Sequence, residues 1–356
     1  MLYAAATAQH LRRFHTPYIQ ALKQDFHVFT LATGEDVDFP VEIQRKVISL
    51  RNLRAVVEIR RILKRERFDA VILNTTLAAF LIRLAMVGMR HRPRVFNFVH
   101  GYLFHKPLKG KKELLYRTCE SMVRGCTDEI AVMNRMDAEM AKEYRLCRGQ
   151  IYETCGMGFR APEGLSTPSK ELRQQVTEGR DAFLMTFVGL LGGDKNQSFL
   201  IRATERLRRE GVPAQLMLLG DGVHRPALEA EIQALGLEAY VHLMGNREPA
   251  WEYLAITDLY VSASKKEGLP FNLMEAMACG LPIVAADSKG QVDLLEEQPQ
   301  CLFPLEDMDA FCESVKAVYR ESKWGMGSVC YPQLERYTFS AVFASNLNMM
   351  KGFLTT

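Results

Sequence analysis

The sequence lacks the features that mark membrane-spanning, disulfide-bonded and metal-bound proteins. Its apolar run Leu77 to Ile82 ends at Arg83, far short of the roughly 18 apolar residues that a spanning helix requires. Its eight cysteines never form a Cys-x-x-Cys pair, which favours reduced thiols over a disulfide framework or a zinc site. The apolar residues 1–8 lack a basic leader, so we expect no cleaved signal peptide. These absences predict a cytoplasmic protein with neither a bound metal nor a cofactor.

The length and the charge distribution indicate two soluble domains. The chain has 356 residues, of which 48% are hydrophobic and 24% are charged, ordinary values for a globular protein of about two domains. Residues 1–163 contain 27 Lys and Arg against 17 Asp and Glu, whereas the rest of the chain contains 18 against 25. A basic half attracts phosphate, nucleic acid or anionic lipid, so we expect the two halves to have different partners.

Short β-rich apolar runs alternate with helical patterns along most of the chain, which predicts an α/β fold with parallel sheets. The predicted strands are 2–6, 27–32, 70–73, 94–99 and 129–133 in the first half, and 183–189, 216–219, 241–243, 259–262 and 283–285 in the second. The predicted domains are a first α/β domain (1–160), a linker (161–182), a second α/β domain (183–338) and a final helix (339–356) that packs back on the first domain. Since parallel sheets bind ligands at the carboxyl ends of their strands, the two domains are expected to face each other across a cleft.

One amphipathic helix is predicted between the second and third strands, over residues 53–65. Leu53, Val57 and Ile59 are among the side chains expected on its inward face. Arg54 and Glu58 are expected to face solvent.

The segment from Ser264 to Val284 carries the strongest chemical signal. It has the pattern of a strand end, a glycine turn at Gly268, a helix that Pro270 suits in its first turn, and a glycine stop. Such a turn directs free backbone N–H groups and a helix dipole at a ligand, which predicts an anion site. Glu267 and Glu275 are spaced so that both carboxylates can reach one ligand. The spacing leaves open that Glu267 only caps the helix and that Glu275 is solvated.

This segment resembles the Glu-x7-Glu element of the retaining glycosyltransferases of family four, which have the GT-B fold of two Rossmann-like domains. The resemblance extends to Phe187-Val188-Gly189 followed by Lys195-Asn196, to Leu219-Gly220-Asp221-Gly222, to Gly245-Asn246-Arg247, and to Gly290 to Leu294. In the first half, His15-Thr16-Pro17-Tyr18 and Phe98-Val99-His100-Gly101 are similar to the bacterial exopolysaccharide and capsule branch of that family. The resemblance covers nearly the whole chain and is strongest over residues 183–295.

The resemblance implies roles for individual residues. Lys195 lies where the family places a lysine on the donor diphosphate, and Glu275 and Glu267 would bind the donor ribose and a sugar hydroxyl. His100 would present an imidazole to the donor sugar, and together with Lys195 and Glu267 it forms the implied catalytic set. The implied donor-binding set also contains Gly189, Asn196, Asn246, Arg247, Gly268, Leu269 and Pro270. His10 and His15 are expected to face the acceptor.

The sequence departs from the family pattern at two places. Leu190 stands where many relatives carry an arginine, so one phosphate contact is absent. Residues 4–8, Ala-Ala-Ala-Thr-Ala, stand in place of the glycine-rich loop of other branches. Taken without the resemblance, Lys195 is compatible with a surface lysine and His100 with an ordinary strand-end histidine. Asp221, between two glycines, is interpreted as a turn residue rather than a metal ligand.

The resemblance implies a metal-independent enzyme that transfers a hexose or N-acetylhexosamine from a nucleoside-diphosphate sugar, with uridine as the favoured nucleoside, and retains the anomeric configuration. The implied acceptor is a glycan or a lipid-linked oligosaccharide for surface polysaccharide. Two alternatives stay open. One is a catalytically inactive scaffold subunit that binds nucleotide sugar, and the other is a non-hydrolysing sugar-nucleotide epimerase.

Residues 105–117 interleave basic and apolar side chains. Lys106, Lys109, Lys111, Lys112 and Arg117 alternate with three leucines and a tyrosine, a pattern suited to an anionic membrane surface. Nucleic acid is not expected as a partner, because the aromatic residues are not arranged as stacking platforms. The stretch predicts peripheral attachment at the inner face of a membrane, with a solvated loop and an ordinary amphipathic helix as the alternative.

Overall fold

The computed structural model describes residues 1–44, 49–104, 110–161, 168–322 and 328–355. The chain forms two compact units, one made of Met1–Gly158 with Phe339–Thr356 and the other of Phe159–Thr338. Each unit contains one parallel sheet. Ala70–Asn74 and Leu259–Ser262 are buried at every position, as is typical of strands covered on both faces by helices.

The sheet of the first unit has seven strands, and every pair of neighbours is parallel. The strands are β1 (Leu2–Thr7), β2 (Phe29–Thr33), β3 (Phe39–Pro40), β4 (Ala70–Asn74), β5 (Arg94–Val99), β6 (Glu129–Val132) and β7 (Ile151–Glu153). Their order, β3-β2-β1-β4-β5-β6-β7, changes direction between β1 and β4. In open α/β sheets a crevice for ligands forms at such a switch point, outside the carboxyl ends of the strands.

The sheet of the second unit has six parallel strands with the equivalent order. The strands are β8 (Phe183–Val188), β9 (Ala214–Leu219), β10 (Val241–Gly245), β11 (Leu259–Ser262), β12 (Ile283–Ala286) and β13 (Leu302–Phe303). The order β10-β9-β8-β11-β12-β13 places the switch point between β8 and β11. The carboxyl ends of these two strands are therefore the expected ligand site of this unit.

Helices connect the strands within each unit. In the first unit they are α1 (Ala8–His10), α2 (Thr16–Leu22), α3 (Leu50–Glu66), α4 (Thr76–Met86), α5 (Lys111–Val123) and α6 (Arg135–Glu143). In the second unit they are α7 (Lys170–Thr177), α8 (Gln197–Arg209), α9 (Arg225–Ala234), α10 (Ala250–Ala255), α11 (Phe271–Ala278), α12 (Gln291–Leu294) and α13 (Met308–Ser322). A π-helical turn, Leu11–His15, joins α1 to α2. Across the described ranges, no helix combines the length and the apolar character needed to cross a bilayer.

The last helix, α14 (Phe339–Thr355), belongs to the first unit. The rings of Phe339 and Phe343 lie 6.1 and 4.9 Å from the ring of Tyr18 on α2. The Asn346 amide donates to the Tyr18 hydroxyl at 3.2 Å and to the carbonyl of Gly156 at 2.7 Å. The boundary between the two units falls after Gly158, and part of the segment predicted as a linker forms α7 in the second unit.

The ten predicted strands agree with the observed ones to within two residues at each end. The prediction missed β3, β7 and β13, which are two or three residues long and lie at sheet edges. Segments of that length are too short to show a period in the sequence.

The predicted inward face of α3 is wrong at two positions. Leu53 and Val57 are 60% and 50% exposed, whereas Ile59 and Ile62 are buried. The helix begins three residues earlier than predicted, at Leu50, which is 80% exposed. The three exposed side chains recur at intervals of three and four residues, so they form one apolar stripe along the helix.

Candidate functional site

Three glycines end neighbouring strands in the second unit. Gly189 follows β8, Gly220 follows β9 and Gly245 ends β10, all with positive φ. The Gly189 N–H donates to the Leu219 carbonyl, and the Gly220 N–H donates to the Gly245 carbonyl, both at 2.8 Å. A Cβ atom on Gly220 would lie 2.0 Å from the carbonyl oxygen of Gly189. At Gly220 the neighbouring strand ends approach each other so closely that only glycine fits.

The loop between β11 and α11 is held by a second turn that follows β12. The Ser264 carbonyl accepts from the Ser288 hydroxyl at 2.7 Å and from the Gln291 amide at 3.2 Å. The Glu267 N–H donates to the Lys289 carbonyl at 3.1 Å. A Cβ atom on Gly290 would lie 2.9 Å from the Gly268 carbonyl oxygen, so this turn also requires glycine. These contacts fix the backbone that leads into α11.

Helix α11 begins at Phe271, with Pro270 as its N-cap residue, so the predicted helix start is displaced by one residue. The Asn272 amide donates to the Val188 carbonyl at the end of β8. Asn272 is not among the predicted site residues, although its place in the first turn of the predicted helix was a usable signal. Through this bond, the first turn of α11 is anchored to the neighbouring strand at the switch point.

Lys195 and Glu267 form an ion pair at the carboxyl ends of β8 and β11. Their side chains are 23% and 11% exposed, so the pair is largely shielded from solvent yet reachable by a ligand. Lys195 comes from the 3-10 turn Gly193–Lys195, and Glu267 comes from the loop before α11. The turn and the loop are also joined by the Lys265 N–H, which donates to the Asp194 carbonyl at 2.8 Å. Residues 72 positions apart are thus brought together as one charged group.

Glu275 lies on α11, beside the same strand end. Burial raises the pKa of the Tyr260 phenol, and the negative charges of Glu267 and Glu275 raise it further. Burial also raises the pKa of the Cys279 thiol to about 11, again with a contribution from the Glu275 charge. Both carboxylates are therefore close enough to Tyr260 of β11 for their charges to act on its phenol.

The remaining residues of the predicted donor set lie around this group. Asn196 adopts a left-handed conformation at the start of α8, Leu269 and Pro270 are buried, and Gly268 is partly exposed. Asn246 and Arg247 are exposed after β10, and the Arg247 guanidinium donates to the Met244 carbonyl at 3.0 Å. Leu190 is 60% exposed, so an apolar side chain faces outward where many relatives carry arginine.

The first unit brings three histidines together at its own switch point. His10 and His15 follow β1, and His100 follows β5. The ring centroid of His10 lies 5.1 Å from that of His15 and 5.2 Å from that of His100. One nitrogen of each ring lies within 4.8 Å of one nitrogen of each other ring. The two residues predicted on the acceptor side and the residue predicted near the donor sugar thus form a single cluster.

Burial keeps these imidazoles uncharged at neutral pH. It lowers the pKa of His10 to about 4 and that of His100 to about 3, and the neighbouring His10 lowers the pKa of His100 further. Burial also lowers the pKa of His15 well below its usual value, with added repulsion from the other two rings. A neutral imidazole can donate a hydrogen bond from one nitrogen and accept one at the other.

Two residues that the sequence analysis missed support this cluster. The side-chain oxygen of Asn74, at the end of β4, lies 3.4 Å from the His100 Nε2 atom. Thr75 has a φ of 65°, which is strained for a β-branched residue, and its hydroxyl accepts from the Ala6 N–H at 2.9 Å. Such strain is concentrated at functional sites. The hydrogen bond from the Ala6 N–H to Thr75 ties β4 to β1 at the switch point. An isolated Asn-Thr pair gave no signal in the sequence.

The aspartates that could hold a metal are occupied by local contacts. Asp221 accepts from the Gly222 N–H at 2.7 Å, as expected of a turn residue. The chain also has two Asp-x-Asp strings, Asp36-Val37-Asp38 and Asp307-Met308-Asp309. Asp36 pairs with Arg12 and Asp38 accepts from Thr30, while Asp307 caps α13 and Asp309 pairs with Arg206.

Comparison with known families matches each half of the chain to a family of glycosyltransferases. The family described as "Glycosyl transferase 4-like domain" matches residues 2–149, and the family described as "Glycosyl transferases group 1" matches residues 182–321. Together these matches span the second sheet and all strands of the first sheet except β7.

Two similar proteins align with most of the chain. EpsD of Bacillus subtilis, assigned by its name to the glycosyltransferases, is 26% identical over 90% of this chain and 87% of its own. A galactosyltransferase of Escherichia coli, named for transfer from UDP-Gal to an α-D-GlcNAc-diphosphoundecaprenol with an α-1,3 linkage, is 23% identical over 77% and 72%.

A solved structure supports the same fold. HepE of Anabaena, crystallised with UDP and glucose, superposes with a TM-score of 0.72 at 18% identity and covers 99% of both chains. The expected GT-B fold is confirmed by this likeness together with the two parallel-sheet units. The chain therefore belongs to the group 1 glycosyltransferases and has the GT-B fold of two Rossmann-like domains.

Proposed function

We propose that this glycosyltransferase is a retaining, metal-independent enzyme of family four that transfers a hexose or N-acetylhexosamine from a UDP-sugar to an acceptor hydroxyl. The proposed acceptor is a lipid-linked oligosaccharide that is extended for exopolysaccharide or capsule. The observation that carries the proposal is the Lys195–Glu267 pair beside Glu275, at the switch point of the second sheet.

The donor is assigned to the second unit through the chemistry of its site. A ribose offers two adjacent hydroxyls, which one carboxylate can accept together, and Glu275 is assigned this contact. The Lys195 ammonium is a compact positive charge suited to a diphosphate, and the Glu267 carboxylate holds it in place while accepting from a sugar hydroxyl. The backbone at Gly189 and at residues 268–270, with Asn196, completes the phosphate site. Asn246 and Arg247 are assigned to the nucleobase.

The chemistry is a displacement on one face of the sugar. The bond from the anomeric carbon to the diphosphate oxygen breaks as the acceptor oxygen bonds to the same face of that carbon. The acceptor proton moves to the leaving phosphate oxygen, so no protein nucleophile is needed. The charge that grows on the diphosphate is stabilised by Lys195, and His100 orients the sugar through a neutral imidazole.

The acceptor is assigned to the first unit, where His10 and His15 lie with His100. Support for a lipid-linked acceptor comes from the Escherichia coli relative, whose named acceptor carries a diphosphoundecaprenol. Support for polysaccharide synthesis comes from the overall similarity to EpsD and from the resemblance to the exopolysaccharide branch.

Helix α5 is the proposed membrane contact. Lys111, Lys112, Leu114 and Leu115 are all exposed on its first turns, so basic and apolar side chains lie together. Lys106 and Lys109, which belong to the same predicted stretch, lie outside the described residues. Apolar side chains flanked by lysines bind anionic bilayers through both burial and charge.

The test is transfer by the purified chain, in the presence of a chelator, from a panel of UDP-sugars to a lipid-diphosphate monosaccharide. The expected product is a disaccharide whose new bond has the anomeric configuration of the donor, determined by proton NMR. An inverted product would overturn the retaining mechanism, and a requirement for added divalent metal would overturn metal independence. An epimerised sugar nucleotide from donor alone would favour the epimerase, and tight UDP binding without turnover across the panel would favour the scaffold.

A further inference from the structure

We propose that His10, His15 and His100 form a binding site for a divalent transition metal ion, with Zn²⁺ as the ion that this ligand set favours. Imidazole nitrogen is a preferred ligand of zinc, and three histidines leave a fourth position open for water or another ligand. The proposed ion lies in the first unit, and the transfer reaction described above uses the three imidazoles without a metal.

The local backbone is built to bring two of the three histidines together. His10 and His15 are five residues apart, and in a regular α-helix of 3.6 residues per turn they would point about 140° away from each other. Residues 11–15 instead form a π-helical turn, in which hydrogen bonds join residues five positions apart. The wider turn returns the chain to the same face after five residues, so the two rings lie 5.1 Å apart. Single π turns of this kind are frequent at functional sites.

Two of the rings present nitrogen atoms that the rest of the chain does not satisfy. Among the described residues, the Nε2 atoms of His10 and His15 have no hydrogen-bonding partner although both atoms are buried. A buried polar atom without a partner costs about 1–3 kcal/mol. A metal ion shared by the three rings would satisfy both atoms.

The far side of two rings is held as it is in known metal sites. The Tyr3 hydroxyl lies 2.9 Å from His15 Nδ1, and the Asn74 side-chain oxygen lies 3.4 Å from His100 Nε2. Metal-binding histidines almost always donate their second N–H to such a partner, which fixes the tautomer and the ring orientation. With the proton on His15 Nδ1, the lone pair of Nε2 faces the cluster.

The distances are compatible with a bound ion after a small adjustment. Zinc–nitrogen bonds of about 2.0–2.1 Å in a tetrahedron separate the ligand nitrogens by about 3.4 Å. One nitrogen of each ring already lies within 4.8 Å of the others. Closing the remaining difference requires rotation of His10 and His100, which are partly exposed, whereas His15 is buried.

A bound ion would have a consequence for transfer, and this consequence alone rests on the proposed function. His100 is the residue assigned to the donor sugar, so an ion that engages its imidazole would compete with the sugar. Free Zn²⁺ is therefore expected to inhibit the enzyme rather than to activate it.

The binding test uses the full chain freed of metal by dialysis against a chelator, titrated with Co²⁺ and followed by its visible absorption. Zn²⁺ affinity is then measured by displacement of Co²⁺. The expected result is one ion per chain, with at least about a 100-fold loss of Zn²⁺ affinity in His10→Gln/His100→Gln, since even outer partners of metal ligands contribute 10- to 100-fold. The matched control is His91→Gln, which removes an exposed histidine of the same unit and should bind as the unaltered chain does.

Two further variants keep the test decisive if the double variant is unstable. His10→Gln alone removes a partly exposed ligand, and Tyr3→Phe removes only the partner of His15, with an expected loss of about 10- to 100-fold. Absence of stoichiometric Co²⁺ binding, or unchanged Zn²⁺ affinity in the histidine variants, would overturn the metal site. Because no nucleotide is present, this result is independent of the donor site, whose own failure would appear as a loss of UDP binding with the metal still bound.

Discussion

At the scale of single residues, two carboxylates and one lysine are proposed to carry the chemistry of the donor site. Glu267 touches Lys195, whereas Glu275 lies on the neighbouring helix. A bound diphosphate would meet the ammonium of Lys195 already oriented by a carboxylate, so little side-chain ordering remains for the moment of reaction. The two carboxylates therefore predict different defects when they are altered.

Replacing Glu275 with glutamine should weaken UDP binding, because the proposed carboxylate accepts two ribose hydroxyl bonds. The expected loss is about 2–4 kcal/mol, given about 1.5–3 kcal/mol for each hydrogen bond to a charged group and incomplete additivity. Isothermal titration calorimetry with UDP measures it. The control is Glu238→Gln, which changes an exposed glutamate of the same unit. Equal UDP affinity of the two variants would contradict the ribose assignment.

Replacing Lys195 with alanine should slow turnover more than it weakens folding. Its charge is proposed to act on the developing diphosphate, and removal of one such electrostatic group lowers kcat by about 100-fold or more. Steady-state kinetics and thermal unfolding are measured on the same preparation. Lys170→Ala, an exposed lysine on α7, provides the control. A folded Lys195 variant with unaltered kcat would remove this residue from the mechanism.

At the scale of secondary-structure elements, close contacts between strand ends determine which substitutions the loops of the second sheet tolerate. A Cβ atom on Gly220 would lie 2.0 Å from the Gly189 carbonyl oxygen, whereas one on Gly211 would have no neighbour within 4 Å. Both glycines have positive φ, so alanine is strained at either position. Gly220→Ala should therefore destabilise the second unit by about 1–3 kcal/mol more than Gly211→Ala, the usual cost of overpacking. Urea unfolding compares them, and equal midpoints would contradict the close approach.

A buried ion pair joins α4 to α5 in the first unit. The Arg83 guanidinium donates to both carboxylate oxygens of Glu120 at 3.0 and 2.9 Å, and to the Thr127 hydroxyl at 3.1 Å. Removing one partner of a buried pair leaves an uncompensated charge, so Glu120→Ala should destabilise this unit by about 3–5 kcal/mol.

The control for the buried pair is Glu153→Ala. Its pair with Lys142 is half-exposed on both sides and should be worth about 1 kcal/mol or less. Denaturant unfolding gives both values. Similar losses in the two variants would show that burial of the Arg83 pair has no energetic effect.

The proposed membrane attachment belongs to the scale of the whole molecule. Each basic residue near an anionic surface contributes about 1 kcal/mol, so Lys111→Gln/Lys112→Gln should lower partitioning onto anionic vesicles by roughly 30-fold. The control is Lys23→Gln/Lys170→Gln, an equal change of charge at exposed lysines outside α5. Co-sedimentation should also fall between 0.1 M and 1 M salt, as the screening length shrinks from about 10 Å to 3 Å. Equal low binding by all three proteins at low salt would contradict the membrane contact.

Local sequence patterns were sufficient to predict the strand and helix alternation and the α11 segment. Ten strands are visible in the sequence because each is an apolar run long enough to show its type. The Glu267 and Glu275 pair is visible because both residues lie within one turn and one helix. The edge strands and the exposed side of α3 were not predictable, since both depend on which neighbours cover an element rather than on the element itself.

The sequence by itself determined the α/β class and the family pattern and supplied the charged residues of the proposed donor site, because these are properties of short segments. Only the tertiary structure decided which of those residues meet. Lys195 contacts Glu267 because the strand order places β8 beside β11, and His100 joins His10 because β1 and β5 end at the same edge of one sheet. Contacts between residues 70 to 90 positions apart follow from strand order, and the contact of His10 with His15 follows from a π-helical turn. Neither feature leaves a periodic signal in the chain.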